Sequence, residues 1–289
     1  MNKKLSRRDF LRILKSLFLS VFAINTGMAF YELFSEPGWV EVKTLKIPLE
    51  NLAKVFSGLR IVQISDLHMG GWMDRERLIH VLNMVKEQKP DLIVITGDFV
   101  FGHAWSDNLD IIAKDFVQEL SQITTEYPVF GVMGNHDHWT DVEKVRIMLQ
   151  ESGVVELRND FRTLERDGEI LHIAGVDDVS LNKQRLVVLY AVLPKTGPAI
   201  LLAHEPDYAD ETSKSGRFGL QLSGHSHGGQ VVFPFIGPLV LPYLGRKYHT
   251  GLYKVREMWQ YTNRGVGMTS PFVRFNCRPE ITVIELQPA

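Results

Sequence analysis

Carboxylate, imidazole and amide side chains recur along this chain at spacings that suit metal ligation. Asp66 and His68 are one residue apart, and Asp98 follows Gly97. Asn135, His136 and Asp137 follow Gly134, and His225 and His227 sit within Gly224-His225-Ser226-His227. His204 lies between the last two groups. Oxygen and imidazole nitrogen without thiolate suit hard-to-borderline divalent ions. The set suggests a hydrolase that uses two metal ions.

These groups follow runs of strand-forming residues. Leu59–Ser65, Leu92–Thr96, Val129–Met133, Ala199–Ala203 and Leu220–Ser223 each read as a strand that ends just before a chemical group. In an open α/β sheet, ligands bind in the crevice outside the carboxyl ends of the strands. Residues far apart in sequence should therefore meet in space. Helical periodicity falls between the strands, at Asp74–Lys89, Asn108–Ile123 and Asp141–Ser152, and Leu78, Val81, Leu82 and Val85 lie on one face of the first. This alternation predicts right-handed βαβ units and a parallel sheet.

The second half is richer in strands. Phe161–Glu165 and Glu169–Ala174 flank Asp167-Gly168, a hairpin signal. Further strands are expected at Gln230–Phe233, Leu252–Arg256, Trp259–Thr262 and Ile281–Glu285. Two mixed sheets packed together with helices outside would account for this content. Residues 35–57 read as a turn cluster followed by an approach strand.

Bulk properties narrow the class. The 289 residues are 45% hydrophobic and 23% charged, as expected for one sizeable globular domain or at most two. A formal net charge of −2 carries no polyanion-binding signature, so nucleic acid is not the expected partner. The one cysteine, Cys277, cannot form an internal disulfide and reads as buried and inert.

The N-terminus differs in kind. Lys3, Lys4, Arg7, Arg8, Arg12 and Lys15 precede a mostly apolar run from Leu17 to Phe34. That is a charged region before a hydrophobic segment, as in an export signal or anchor. The segment contains Asn25, Thr26 and Gly27 and falls somewhat short of the roughly 20 apolar residues that cross a bilayer. Ser6-Arg7-Arg8-Asp9-Phe10-Leu11-Arg12 resembles the twin-arginine export motif. Residues 1–36 are therefore expected to be a signal or membrane anchor, and 37–289 a catalytic domain outside the cytoplasm. An amphipathic surface helix is the simpler alternative for the N-terminus.

Single motifs here are weak. An Asp-x-His pair arises often by chance, and an aspartate after a strand is commonly a helix cap. Gly-Asn-His-Asp and Gly-His-Ser-His-Gly-Gly are stronger, because glycine permits the tight backbone turn that crowds ligands together. Their order, each after a strand, carries the argument. The set resembles the calcineurin-like metallophosphoesterase superfamily, whose motifs run D-x-H, G-D, G-N-H-[DE], H and G-H-x-H. Asn263-Arg264-Gly265-Val266-Gly267, Arg274 and Pro279-Glu280 further resemble its YkuE/YaeI-like branch. The resemblance covers nearly the whole chain from Leu45 onward. It implies a four-layer α-β-β-α sandwich of two mixed sheets and hydrolysis of a phosphomonoester, phosphodiester or pyrophosphate.

The resemblance also implies roles. One ion would take Asp66, His68 and His227, and the other Asn135, His204 and His225. Asp98 would bridge two dications held roughly 3.5–4 Å apart, and a metal-bound hydroxide would attack phosphorus. His136 would protonate the leaving oxygen, and Asp137 would hold the His136 ring in its tautomer. The ligand set suits Mn, Fe or Zn alike.

The remaining candidates are lesser ones. His80 and His172 read as structural or surface residues. His103, His138 and His249 are expected in loops, from which they could reach substrate, although that is the lesser reading. Asp177 and Asp178 could contact substrate, but a helix cap is the better reading. Apolar residues near the motifs bear on the substrate: Met69, Trp72 and Met73, then Phe101 and Trp105, then the run from Val231 to Leu244. Prolines make that run unsuitable as a spanning helix. It is either a hydrophobic wall or membrane-dipping loop that receives acyl chains, or a loop packed on the core. The substrate is thus a phosphorylated small molecule or lipid. Some relatives cleave UDP-diacylglucosamine in lipid A synthesis, which would place the domain on the cytoplasmic face. A non-catalytic binding scaffold is the other class, and it predicts missing ligands where this chain has none missing.

Overall fold

The computed structural model describes residues 6–31, 35–102 and 106–289. Lys3, Lys4, Glu32, Phe34, His103 and Trp105 lie outside the described residues.

Two six-stranded sheets form the centre. The first runs in the order β1 (Glu41–Leu49), β14 (Glu280–Pro288), β2 (Arg60–Ile64), β3 (Leu92–Ile95), β4 (Val129–Gly131), β5 (Val155–Glu156). The second runs β12 (Gly251–Val255), β13 (Met258–Thr262), β9 (Leu220–Ser223), β8 (Ala199–Leu202), β7 (Glu169–Gly175), β6 (Asp160–Arg166). Both are mixed. Strands β2 to β5 are parallel and β14 is antiparallel to β2; β13, β9, β8 and β7 are parallel between antiparallel edges β12 and β6.

Alternation of side chains sorts the core into layers. Ile61, Val94, Phe130 and Ile284 of the first sheet meet Ile173, Ile200, Leu202, Leu220 and Leu222 of the second. The opposite face of the first sheet, with Val62, Ile64, Ile93 and Val283, packs under α2 (Arg75–Glu87), α3 (Ser106–Thr124) and α5 (Val142–Glu151). Leu201 and Ala174 on the outer face of the second sheet pack against Leu189 of α6 (Leu186–Val192) and Ala209 of α7 (Ala209–Thr212). The result is the expected α-β-β-α sandwich. Central strands read as near-continuous apolar runs because both of their faces are buried.

Helix α2 forms as its sequence requires. Asp74 caps it by accepting the Arg77 N–H at 2.9 Å, and Leu78, Val81, Leu82 and Val85 are buried along one stripe. The strand expected at Gln230–Phe233 is instead a two-stranded ribbon of β10 (Val232–Phe233) and β11 (Gly237–Pro238). Helix α4 (Asn135–Thr140) holds His138, which was expected in a loop. The N-terminal helix α1 (Arg7–Phe30) is exposed along Arg7–Gly27. Its 22 residues Arg7–Met28 have no buried share and are long and apolar enough to cross a membrane.

Candidate active site

Five strands, β2, β3, β4, β8 and β9, end on one rim. The loops after β2 and β3 run side by side: the Asp66 N–H donates to Gly97 and the His68 N–H to Asp98, both at 3.0 Å. Asp66, His68, Asp98, His225 and His227 all have left-handed backbone, with φ of 52°, 49°, 55°, 70° and 51°. That conformation costs a non-glycine residue about 1–3 kcal/mol and persists only where the surroundings enforce it. Gly134 and Gly224 allow the close approach, because a Cβ on either would strike the Asp98 or Asp66 carboxylate.

The side chains converge in the interior. His68 Nε2 lies 3.0 Å from His227 Nε2 and 3.5 Å from Asp98 Oδ2. His227 Nε2 is 3.5 Å from Asp66 Oδ1, and His204 Nε2 is 3.2 Å from Asp98 Oδ2. Ligands bonded at roughly 2.0–2.2 Å to one first-row ion stand roughly 2.9–3.6 Å apart. Three groups have donors close enough to hold an ion: Asp66, His68 and His227; Asp66, Asp98 and His204; and His68, Asp98 and His136. Asp98 has one oxygen engaged by the His136 N–H at 3.0 Å, and its other oxygen lies between His68 and His204.

Two further donors complete the rim. Asn135 Oδ1 is buried without a hydrogen-bond partner among the described residues, as is His204 Nε2. An orphaned buried oxygen is costly unless something binds it, so a divalent ion fits this cradle. The His204 ring is fixed by Nδ1–H donation to the Thr96 carbonyl at 2.7 Å, which leaves Nε2 as its ligand atom. His225 is reversed: its Nε2–H donates to the Tyr243 carbonyl at 2.8 Å, leaving Nδ1. Backbone acceptors of this kind orient ligating imidazoles.

Burial shapes the charge states. It pushes His68 down to about 3 and His225 to about 4, and His227 well below the usual imidazole range. These rings stay neutral near pH 7 and keep a lone pair for an ion. Burial pushes Asp66 up to about 6, with the Asp98 charge adding to it. Burial opposes charge on His204 and Asp98 too, but each holds the other ionised: the histidine is raised and the aspartate lowered.

The site departs from the sequence reading in four places. Asp137 does not hold the His136 ring. Its carboxylate accepts N–H groups of Asp98 at 3.0 Å, Val100 at 3.1 Å and Gly134 at 2.9 Å. The His136 Nδ1–H donates instead to the Phe101 carbonyl. His138 turns away from the rim and pairs with Asp177 at 2.7 Å. Asp178 caps a turn and not a helix, accepting the Leu181 N–H at 2.6 Å, and Asp177 takes His138 and Arg146. Met69 and Met73 lie in the core under the helices, with Trp72 packed beside them.

A cavity of about 790 Å³ opens over the cluster, with Asp98, Asn135, His136, His225 and His227 as its floor. Phe101, Trp139, Leu181, Val231, Leu239 and Val240 make its walls largely apolar, and among the described residues no lysine or arginine lines it. Trp139 and Leu181 were not singled out from sequence. Trp139 lies one helical turn from His136, and that spacing was the available signal.

The C-terminal motif has a structural task. Val266 N–H donates to the Ser65 carbonyl at 3.0 Å and Gly267 N–H to that of Asp66 at 2.8 Å. The buried Arg274 guanidinium donates to the carbonyls of Arg264, Gly265 and Gly267. Together they brace the turn that carries Asp66.

Comparison with known proteins agrees. The family described as calcineurin-like phosphoesterase matches residues 59–229. The metallophosphoesterase YkuE of Bacillus subtilis (strain 168) is 36% identical over 99% of this chain and 99% of its own. Phosphodiesterase YaeI of Escherichia coli (strain K12) is 30% identical over 98% and 99%. A Danio rerio transmembrane protein with metallophosphoesterase domain is 32% identical over 92% of this chain and 62% of its own. By motif order, fold and family match, the chain belongs to the calcineurin-like phosphoesterases.

Proposed function

We propose that this protein hydrolyses phosphodiesters with two divalent metal ions, at a membrane surface. One observation carries the reading: oxygen and neutral imidazole donors at ligand spacing face an apolar cavity that no described lysine or arginine lines. A monoester dianion calls for cationic side chains, whereas a diester carries a single charge. The name of the YaeI relative, a phosphodiesterase, points the same way.

In this reading Asp66, His68 and His227 hold one ion and Asn135, His204 and His225 the other, with Asp98 shared. Bound metal would supply an activated water and neutralise phosphoryl charge. The chain's own residues do the rest. The Phe101 carbonyl fixes Nδ1–H of His136, so Nε2 is the atom that delivers a proton to the leaving oxygen. The apolar walls exclude water and seat an apolar leaving group. Asp137 positions the Asp98 and Gly134 backbone.

Residues 1–36 are the anchor or twin-arginine-type export signal, and 37–289 the catalytic domain outside the cytoplasm. The apolar walls also favour a second reading, a pyrophosphatase acting on UDP-diacylglucosamine from the cytoplasmic face. Turnover of phosphomonoesters, phosphodiesters and lipid pyrophosphates, with Mn, Fe or Zn supplied in turn, separates these. Diester turnover that is lost together with metal in Asp98→Ala is the expected result. Metal-independent turnover in that variant, or no turnover of any panel member, would defeat the proposal and leave the binding-scaffold class.

A further inference from the structure

We infer that the β10–β11 hairpin docks on the lipid bilayer that holds α1 and sets the cavity mouth at the membrane surface. The inference concerns a surface outside the metal cradle. It rests on the reading of α1 as a membrane anchor, and on the phosphoesterase reading only for its kinetic arm.

The hairpin carries apolar side chains where a soluble surface would carry charge. Residues 231–244 contain no charged side chain. Phe235 at the tip is fully exposed, and Ile236 beside it is 76% exposed. Leu239, Val240 and Tyr243 follow, 58%, 76% and 68% exposed, so exposed apolar side chains recur along the segment. Phe235 and Ile236 do not line the cavity, so they are not held out to form its wall. A tight turn presents them: the Ile236 N–H donates to Phe233 at 3.2 Å. Exposed apolar side chains concentrated in one segment point to an interaction surface.

The path of the chain identifies the partner as the bilayer. The end of α1 is tied to Glu36, whose N–H donates to Tyr31 at 2.9 Å. The buried Glu36 carboxylate accepts the N–H groups of Asn276 and Cys277. Phe275, the next residue back, pairs with the hairpin: Val232 N–H donates to its carbonyl at 2.9 Å, and its ring centre is 5.4 Å from that of Phe233. One short segment, 275–277, thus joins the anchor's exit point to the root of the hairpin. Trp39 stands at that exit, 53% exposed, with the Arg278 guanidinium 3.4 Å over its ring. Tryptophan is enriched at membrane–water interfaces. A bilayer holding α1 therefore lies close to the hairpin root. The cavity walls Leu239 and Val240 continue from the hairpin, so a phosphodiester in the head-group layer can reach the metal donors without leaving its chains exposed to water.

The full chain in vesicles of phosphatidylcholine and phosphatidylglycerol tests this. Ile236→Cys carries an environment-sensitive fluorophore; Cys277, the only native cysteine, is buried. Asp167→Cys, exposed at the opposite end of the sheets, is the control. Spin-labelled lipids should quench the Ile236 label and spare the Asp167 label. Equal quenching at both sites, or quenching between labelled copies that rises with protein-to-lipid ratio and is absent with spin-labelled lipid, overturns the inference; the second result assigns the surface to a second copy. In the kinetic arm, Phe235→Ser with Ile236→Ser should slow hydrolysis of a long-chain phosphodiester in the vesicle about tenfold. The rate on soluble bis(4-nitrophenyl) phosphate should not change, which also reports intact folding. Equal losses on both substrates, or none on the vesicle substrate, overturns the docking role. Absence of both activities in the unaltered protein defeats the phosphoesterase reading, and quenching then decides docking by itself.

Discussion

The Asp137 carboxylate accepts the backbone N–H of Asp98 at 3.0 Å, so a member of the Gly-Asn-His-Asp motif works by holding a backbone turn. Its other acceptor positions take Val100 and Gly134. Asp98 reaches between His68 and His204 only because its own left-handed backbone is pinned this way.

Asp137→Asn should therefore cost metal and stability together. An amide nitrogen would face N–H donors, and a buried donor left unsatisfied costs about 1–3 kcal/mol. Metal affinity should fall about 10–100-fold, the usual effect of losing a group that orients ligands. Thermal unfolding and elemental analysis check both. Full metal content with altered leaving-group dependence would instead return Asp137 to the His136 ring.

His136→Ala should keep metal near the level of the unaltered protein. Its rate should fall by about 10²–10⁴, the worth of general acid catalysis. The loss should shrink for leaving groups that need no proton. A leaving-group series with metal content measured in parallel checks this. A uniform loss would assign His136 to holding a phosphoryl oxygen.

Asp177 makes acid sensitivity testable. Burial raises its pKa, but hydrogen bonds from His138 and the Asp178 N–H, and the Arg146 charge, outweigh burial and lower it. A lowered native value means the contribution is complete above the unfolded pKa of 3.8 and disappears as pH falls through the native value. Asp177→Asn should destabilise by about 1.5–3 kcal/mol at pH 7, as for a hydrogen bond to a charged group. The gap should close below about pH 4. Denaturant titrations at pH 7 and pH 3 that show the same gap would refute the ionic role.

Topology is testable through the ends of the chain. Six basic residues precede the apolar segment, Glu32 lies near its end, and Glu36 and Glu41 follow it. Basic flanks stay in the cytoplasm, so a reporter after Ala289 should register outside. Arg7→Lys with Arg8→Lys should strand the domain inside with its purified activity intact. A cytoplasmic signal from the unaltered chain would overturn export and raise the UDP-diacylglucosamine reading above it.

Much of the site is legible in the amino-acid sequence. Asp66, His68, Asp98, Asn135, His204, His225 and His227 can be named as candidates because each follows a strand-forming run, and the family resemblance implies their roles. Parallel strands bring those ends to one rim. The buried stripe of α2, the Asp167-Gly168 hairpin and the layer order also follow from local pattern, because periods of 3.6 and 2 are written in the chain.

Tertiary structure decided what local pattern cannot. Helix α4 has no apolar period, and its start depends on Asp137 accepting N–H groups from another loop. Met69 and Met73 entered the core and Trp139 the cavity wall, because which face is buried depends on which distant element covers it. Glu36, in a sequence that reads as a turn cluster, is buried because its carboxylate answers two N–H groups 240 and 241 residues away. Sequence alone placed the candidate donors near strand ends; long-range packing decided which of them touch, which residue orients which, and where the apolar surface faces.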